Sequence, residues 1–129
     1  MNGRYSLDTH IMTAFFKQES AVVQQVEKAP VVFVSAIVLG ELYYGAYYSD
    51  RVSENLNRLR SLREDANLLL VDDETATFYG AIKAQLRKKG KPIPENDLWI
   101  AALAMQHDLT LVSRDQHFAR IDELNWVQW

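Results

Sequence analysis

The strongest constraint on this chain is a repeated switch of hydrophobic period. Short apolar runs, each ending at a polar residue, alternate with longer stretches whose apolar residues recur at helical spacing. The runs are Arg4–Leu7 leading into Asp8 and Thr9, Val31–Val34 ending at Ser35, Leu68–Val71 ending at Asp72, and Thr110–Val112 ending at Ser113. Val31–Val34 and Leu68–Val71 are unbroken apolar runs, which suit strands buried on both faces, and the other two are short enough for strands. The clearest helical patterns are Ala36–Tyr48 and Asp73–Lys89, with apolar residues at Leu39, Leu42, Tyr43 and Ala46 and at Phe78, Ile82 and Leu86. Such alternation predicts a three-layer α/β/α domain with a short, mostly parallel central sheet, right-handed crossovers, and a final edge strand from Asn125–Trp129. A chain of 129 residues is expected to form a single domain over 1–129, because either half would be too small for a stable core.

In a sheet of this kind the reactive crevice lies beyond the carboxyl ends of the strands. Asp8 and Asp115 follow strand ends there. Glu41 lies on the second turn of the helix after the second strand, in Ala36–Tyr48, a segment with no other charge. A carboxylate in so apolar a helix requires a partner, either a cation or a nearby arginine. Asp97 belongs to a helix that Asn96 or Asp97 is expected to open, after Pro92 and Pro94 stiffen the approach. It reaches the same crevice if that helix runs antiparallel to the next strand, with Lys91–Glu95 carrying the chain back.

Two carboxylates about 5 Å apart repel by roughly 3 kcal/mol at an effective dielectric of 20. A cluster of four therefore calls for a compensating divalent cation. With no cysteine in the chain, thiolate sites, iron–sulfur clusters, disulfides and a cysteine nucleophile are all excluded. Oxygen ligands favour a hard ion, Mg²⁺ or Mn²⁺, which can activate water for attack on phosphorus. A net charge of −3 argues against a general nucleic-acid coat but leaves room for one local site. No run nears the roughly 18 apolar residues of a membrane span, and the first ten residues lack a secretory pattern, so the expected location is the cytoplasm.

Four segments, in order and spacing, carry a resemblance: LDTH at Leu7–His10, SAIVLGELYYGA at Ser35–Ala46, GKPIPENDLWIAALA at Gly90–Ala104, and LTLVSRDQHF at Leu109–Phe118. The chain resembles the PIN-domain ribonucleases, in particular the VapC-type toxins of bacterial toxin–antitoxin pairs. The resemblance implies a Mg²⁺- or Mn²⁺-dependent endoribonuclease, usually dimeric, restrained by a VapB-type antitoxin whose tail blocks the active-site groove within a larger assembly. The family's acidic positions fall on Asp8, Glu41, Asp97 and Asp115, with Thr9, Asn96 and Ser113 in support. His10 stands where the family most often has Asn.

Other features read more plainly. Arg87, Lys88, Lys89 and Lys91 at a helix end are expected to be solvated and to complement the helix dipole. Tyr43, Tyr44, Tyr47 and Tyr48 are expected to serve packing and dimerisation. His107 and His117 have no second histidine at ligand spacing and are set aside as an imidazole site. Asp72 and Asp73, following an apolar run, supply the competing reading, a non-catalytic phosphoacceptor-like signalling module.

Overall fold

The computed structural model describes residues 3–129, so the first two positions of the expected unit lie outside the described residues. Five strands form one parallel sheet: β1 (Arg4–Leu7), β2 (Val31–Ser35), β3 (Asn67–Leu69), β4 (Thr110–Val112) and β5 (Trp126–Val127), in the spatial order β3-β2-β1-β4-β5. Between them run α1 (Thr9–Phe16), α2 (Ser20–Lys28), α3 (Ala36–Tyr47), α4 (Val52–Asp65), α5 (Asp73–Lys89) and α6 (Glu95–Gln106). The chain builds outward from β1 through β2 to β3, then crosses back to place β4 on the other side of β1. That reversal makes the gap beyond β1 and β4 the switch point of the sheet.

Register explains why the two ends coincide. Leu7 pairs with Val112, so the residues that follow, Asp8 and Ser113, leave the sheet side by side. The central strands carry the core: Leu7, Val34, Leu111 and Val112 are buried, and every residue of β4 is buried. Helix α6 packs most deeply, with Ile100, Ala101, Ala102, Leu103 and Ala104 fully inaccessible, so its small residues bring α5 and the sheet close on several sides. The expected edge strand at the carboxyl terminus is present as β5, parallel to β4.

Helix starts follow local polar chemistry. Ser35 Oγ accepts from Val38 N at 3.1 Å to begin α3, and Asp72 forms a reciprocal cap with Thr75 to begin α5, which ends at Gly90 with φ of 69°. This cap answers the signalling alternative. Asp72 Oδ1 already accepts from Thr75 N and Gln106 Nε2, holding its carboxyl below the usual range chiefly through the Thr75 backbone bond, while Asp73 is simply exposed in the first turn.

Three expectations shift. The third strand ends at Leu69, leaving Leu70 and Val71 exposed on the way to α5, because its partner β2 ends at Ser35, opposite Leu69, where the chain turns into α3. Helix α6 begins at Glu95 with Pro94 in the capping position, so neither Asn96 nor Asp97 opens it. Finally, α3 buries only Val38 and Ala46, and of the tyrosines expected to serve packing and dimerisation Tyr44, Tyr47 and Tyr48 are exposed, so they do not pack within the chain's own core. In the basic run at the end of α5, Lys89 is paired with Asp122 at 2.6 Å.

Leu103 is fully buried in α6, and replacing it with Ala removes apolar area and leaves a cavity. Leu103→Ala is expected to lower unfolding stability by about 3 kcal/mol in urea titration, with an unchanged slope.

Candidate active site

The switch point is walled by side chains from four elements. A cleft of about 470 Å³ is lined by Asp8, Thr9, His10, Glu41, Asn96, Asp97 and Asp115, with Pro94 and Glu95 at the start of α6. All four sequence-predicted carboxylates thus share one cavity, along with Thr9, His10 and Asn96.

Each acid is placed by a different local rule. Asp8 follows β1 directly, is 7% exposed, and accepts from Thr9 N at 2.8 Å and from the fully buried Ser113 Oγ at 2.6 Å. Ser113 is therefore a support beneath the site rather than part of its lining. The same hydroxyl accepts from Asp115 N at 3.0 Å, so one buried serine fixes both the β1 and β4 acids. Asp115 in turn accepts from His117 N at 2.9 Å, starting a short 3₁₀ turn at Gln116–Arg120. Glu41 Oε1 accepts from Thr9 Oγ1 at 2.7 Å. Among the described residues Glu41 forms no ion pair with an arginine; its hydrogen-bond partner is the neutral hydroxyl of Thr9.

Asp97 stands in the first turn of α6, where the helix dipole favours an acid. Its carboxyl is nevertheless pushed up to about 6, first by burial, then by Asp8, Asp115 and Glu41, with His117 acting in the opposite direction. A half-buried acid facing three others holds a proton far more readily than one in water, so the cluster in its fully charged form is under-compensated by the protein alone.

One residue set aside from the sequence belongs here. His117 does not line the cleft, yet its Nδ1 lies 3.0 Å from Asp115 Oδ1 and 3.9 Å from Asp97 Oδ2. Asp97, Asp115 and His117 each offer a donor atom within 4.8 Å of the others. Counting histidine pairs could not find it, because its partners are carboxylates; the only signal was its place two residues after Asp115.

The pH dependence of stability follows from Asp97. Its pKa is about 6 in the fold and about 3.9 in an unfolded chain, so between those values the folded state holds the extra proton and stability falls as pH rises. In EDTA, Asp97→Asn is expected to gain about 2 to 3 kcal/mol relative to wild type on going from pH 4 to pH 7. Equal pH slopes for the two proteins in chemical denaturation would contradict the placement of Asp97.

Proteins of known sequence and structure are similar to this chain over nearly all of its length. The family model for the PIN domain matches residues 5–124. Ribonuclease VapC2 of Haemophilus influenzae is 34% identical over 129 residues, covering 98% of each chain. Among solved structures, VapBC2 of Rickettsia felis bound to a promoter DNA fragment superposes with a TM-score of 0.90 at 30% identity over 98% of each chain. VapBC-5 of Mycobacterium tuberculosis, a member of the VapBC family of toxin–antitoxin systems, superposes with a TM-score of 0.76 at 27% identity, covering 98% of this chain and 97% of that one. With the family model spanning nearly all of the sequence and the relatives matching from end to end, the chain belongs to the PIN-domain family, on its VapC branch.

Proposed function

We propose that this chain is an endoribonuclease, the toxin of a type II toxin–antitoxin pair, and that Asp8, Glu41, Asp97 and Asp115 hold Mg²⁺ or Mn²⁺ at the switch point. The observation that carries the reading is the convergence of four carboxylates from separate parts of the chain on one cleft at the switch point. The donor set fits a hard dication: oxygen atoms from four carboxylates, no thiolate in the chain, and no arginine or lysine among the residues lining the cleft. Ribonuclease activity in curated relatives supports the substrate class.

Bound there, the ion supplies charge neutralisation at the phosphodiester and activation of water for attack on phosphorus. The protein's share is placement. Ser113 holds Asp8 and the Asp115 backbone, and Thr9 holds Glu41, so these carboxylates are oriented before an ion or substrate arrives. Asn96 and His10, also in the cleft, offer hydrogen bonds to the ribose–phosphate backbone. No side-chain base is required.

The partner is a VapB-type antitoxin. A second, largely apolar cleft of about 550 Å³ runs between α1, α3 and α4, lined by Phe16, Leu42 and Leu59 together with Lys17 and Arg58. It shares Thr9 and Glu41 with the acidic cleft, so a polypeptide lying in it reaches the catalytic groove. The exposed tyrosine face of α3, where Tyr44 stacks on Tyr48 at 5.9 Å, supports a homodimer. No helix among the described residues is long and apolar enough to cross a membrane, consistent with a toxin acting in the cytoplasm.

Asp97→Asn keeps the side-chain shape and removes its charge. It is expected to lower metal-dependent RNA cleavage about 100-fold or more, and its expression alone should be tolerated where wild type arrests bacterial growth. Full cleavage in excess EDTA would instead indicate a metal-free reaction through a histidine. Light scattering at micromolar concentration is expected to give the mass of a dimer, and Tyr44→Asp with Tyr48→Asp the mass of a monomer.

A further inference from the structure

We propose that His117 contributes a nitrogen ligand to the metal cluster, giving an otherwise all-oxygen site one softer donor and shifting its preference from Mg²⁺ toward Mn²⁺. The inference rests on the reading that Asp97 and Asp115 hold a divalent ion.

The argument begins with Nδ1. This atom is shielded from solvent and has no hydrogen-bond partner, although the histidine side chain as a whole is 40% exposed. It faces Asp115 Oδ1 at 3.0 Å, without the alignment of a hydrogen bond, and Asp97 Oδ2 at 3.9 Å. A nitrogen lone pair and two carboxylate oxygens repel unless something positive stands among them. A proton on Nδ1 would serve only one oxygen, and poorly at this angle. A metal ion serves all three.

The separations suit that role. With metal–donor bonds of about 2.1 Å in octahedral coordination, adjacent donors lie about 3 Å apart and opposed donors about 4.2 Å apart. The 3.0 Å from Nδ1 to Asp115 Oδ1 is the adjacent spacing, and the 3.9 Å to Asp97 Oδ2 lies between the adjacent spacing and the opposed spacing of about 4.2 Å. The backbone also holds the ring in place: His117 N donates to Asp115 Oδ1 at 2.9 Å, and Phe118, the next residue, is 1% exposed in the core. The chemistry then sets the preference. Imidazole binds later divalent transition ions readily, whereas Mg²⁺ strongly favours oxygen and retains water, so a nitrogen ligand benefits Mn²⁺ more.

The test is pulsed electron paramagnetic resonance on Mn²⁺ bound to the full chain, combined with Mn²⁺ and Mg²⁺ titrations. Wild type is expected to show ¹⁴N modulation from a directly bound imidazole. His117→Gln is expected to lose that modulation and to weaken Mn²⁺ binding about tenfold, with Mg²⁺ binding changed less than about threefold. His10→Gln should keep the nitrogen signal. If Mn²⁺ binds and Asp97→Asn weakens it, but wild type shows no ¹⁴N coupling, the role of His117 is overturned while the carboxylate site stands. If the coupling disappears in His10→Gln and persists in His117→Gln, the ligand is His10 and this inference fails. Equal Mn²⁺ affinity in wild type and Asp97→Asn would overturn the carboxylate site itself, and His117's role with it.

Discussion

Beneath the cleft, Ser113 Oγ donates to Asp8 Oδ2 at 2.6 Å and accepts from Asp115 N, all within a fully buried hydroxyl's reach. This contact joins the ends of β1 and β4 at the point where the sheet reverses its order. It needs the parallel register that pairs Leu7 with Val112; a slip of one residue would turn Asp8 toward the opposite face. Folding of the sheet and construction of the acidic site are therefore the same event. Glu41 and Asp97 come from helices on either side of it, and their approach is productive only because the two strand-borne acids are already fixed.

That arrangement is costly for the isolated fold. Four carboxylates in one cavity oppose the hydrophobic packing of Leu7, Val112 and the α6 core beneath them, and Asp97 records the opposition. The fold offsets it in two ways. Thr9 and Ser113 satisfy acceptor atoms locally, and the first turn of α6 presents its dipole to Asp97. Neither supplies a full positive charge, so the protein alone leaves the acids of the cleft under-compensated.

Much of this was legible from residue order. The short runs ending at Asp8, Ser35 and Ser113 mark three strand ends; apolar continuity carries Val31–Val34, whereas Arg4–Leu7 contains Arg4 and Ser6 and is marked by its brevity and the polar residues that follow it. The acids could be gathered to one end of the sheet before any coordinates, since each sits just past a strand or on a helix adjoining one. What failed did so for identifiable reasons. Leu70 and Val71 look like strand, but pairing at an edge depends on the neighbour's length, which hydrophobicity does not encode. Pro94 caps α6 through its backbone conformation with no side-chain bond, so capping-type side chains point instead to Asn96 or Asp97, within the first turn. Thr9 as the partner of Glu41, at a separation of 32 residues, is a tertiary fact with no local trace. His117 has no second imidazole at ligand spacing in the sequence, and its neighbours in the fold are the carboxylates of Asp97 and Asp115.

The outer strands are very short. β3 contributes three residues and β5 two, so each rim of the sheet presents only a few unpaired amides. A template that brief cannot sustain strand-by-strand addition of a neighbouring molecule. A chain of this kind released from its partner is therefore protected from fibrous self-assembly by the stubbiness of its rims, and any sticking of the freed molecule must proceed through helical surfaces instead.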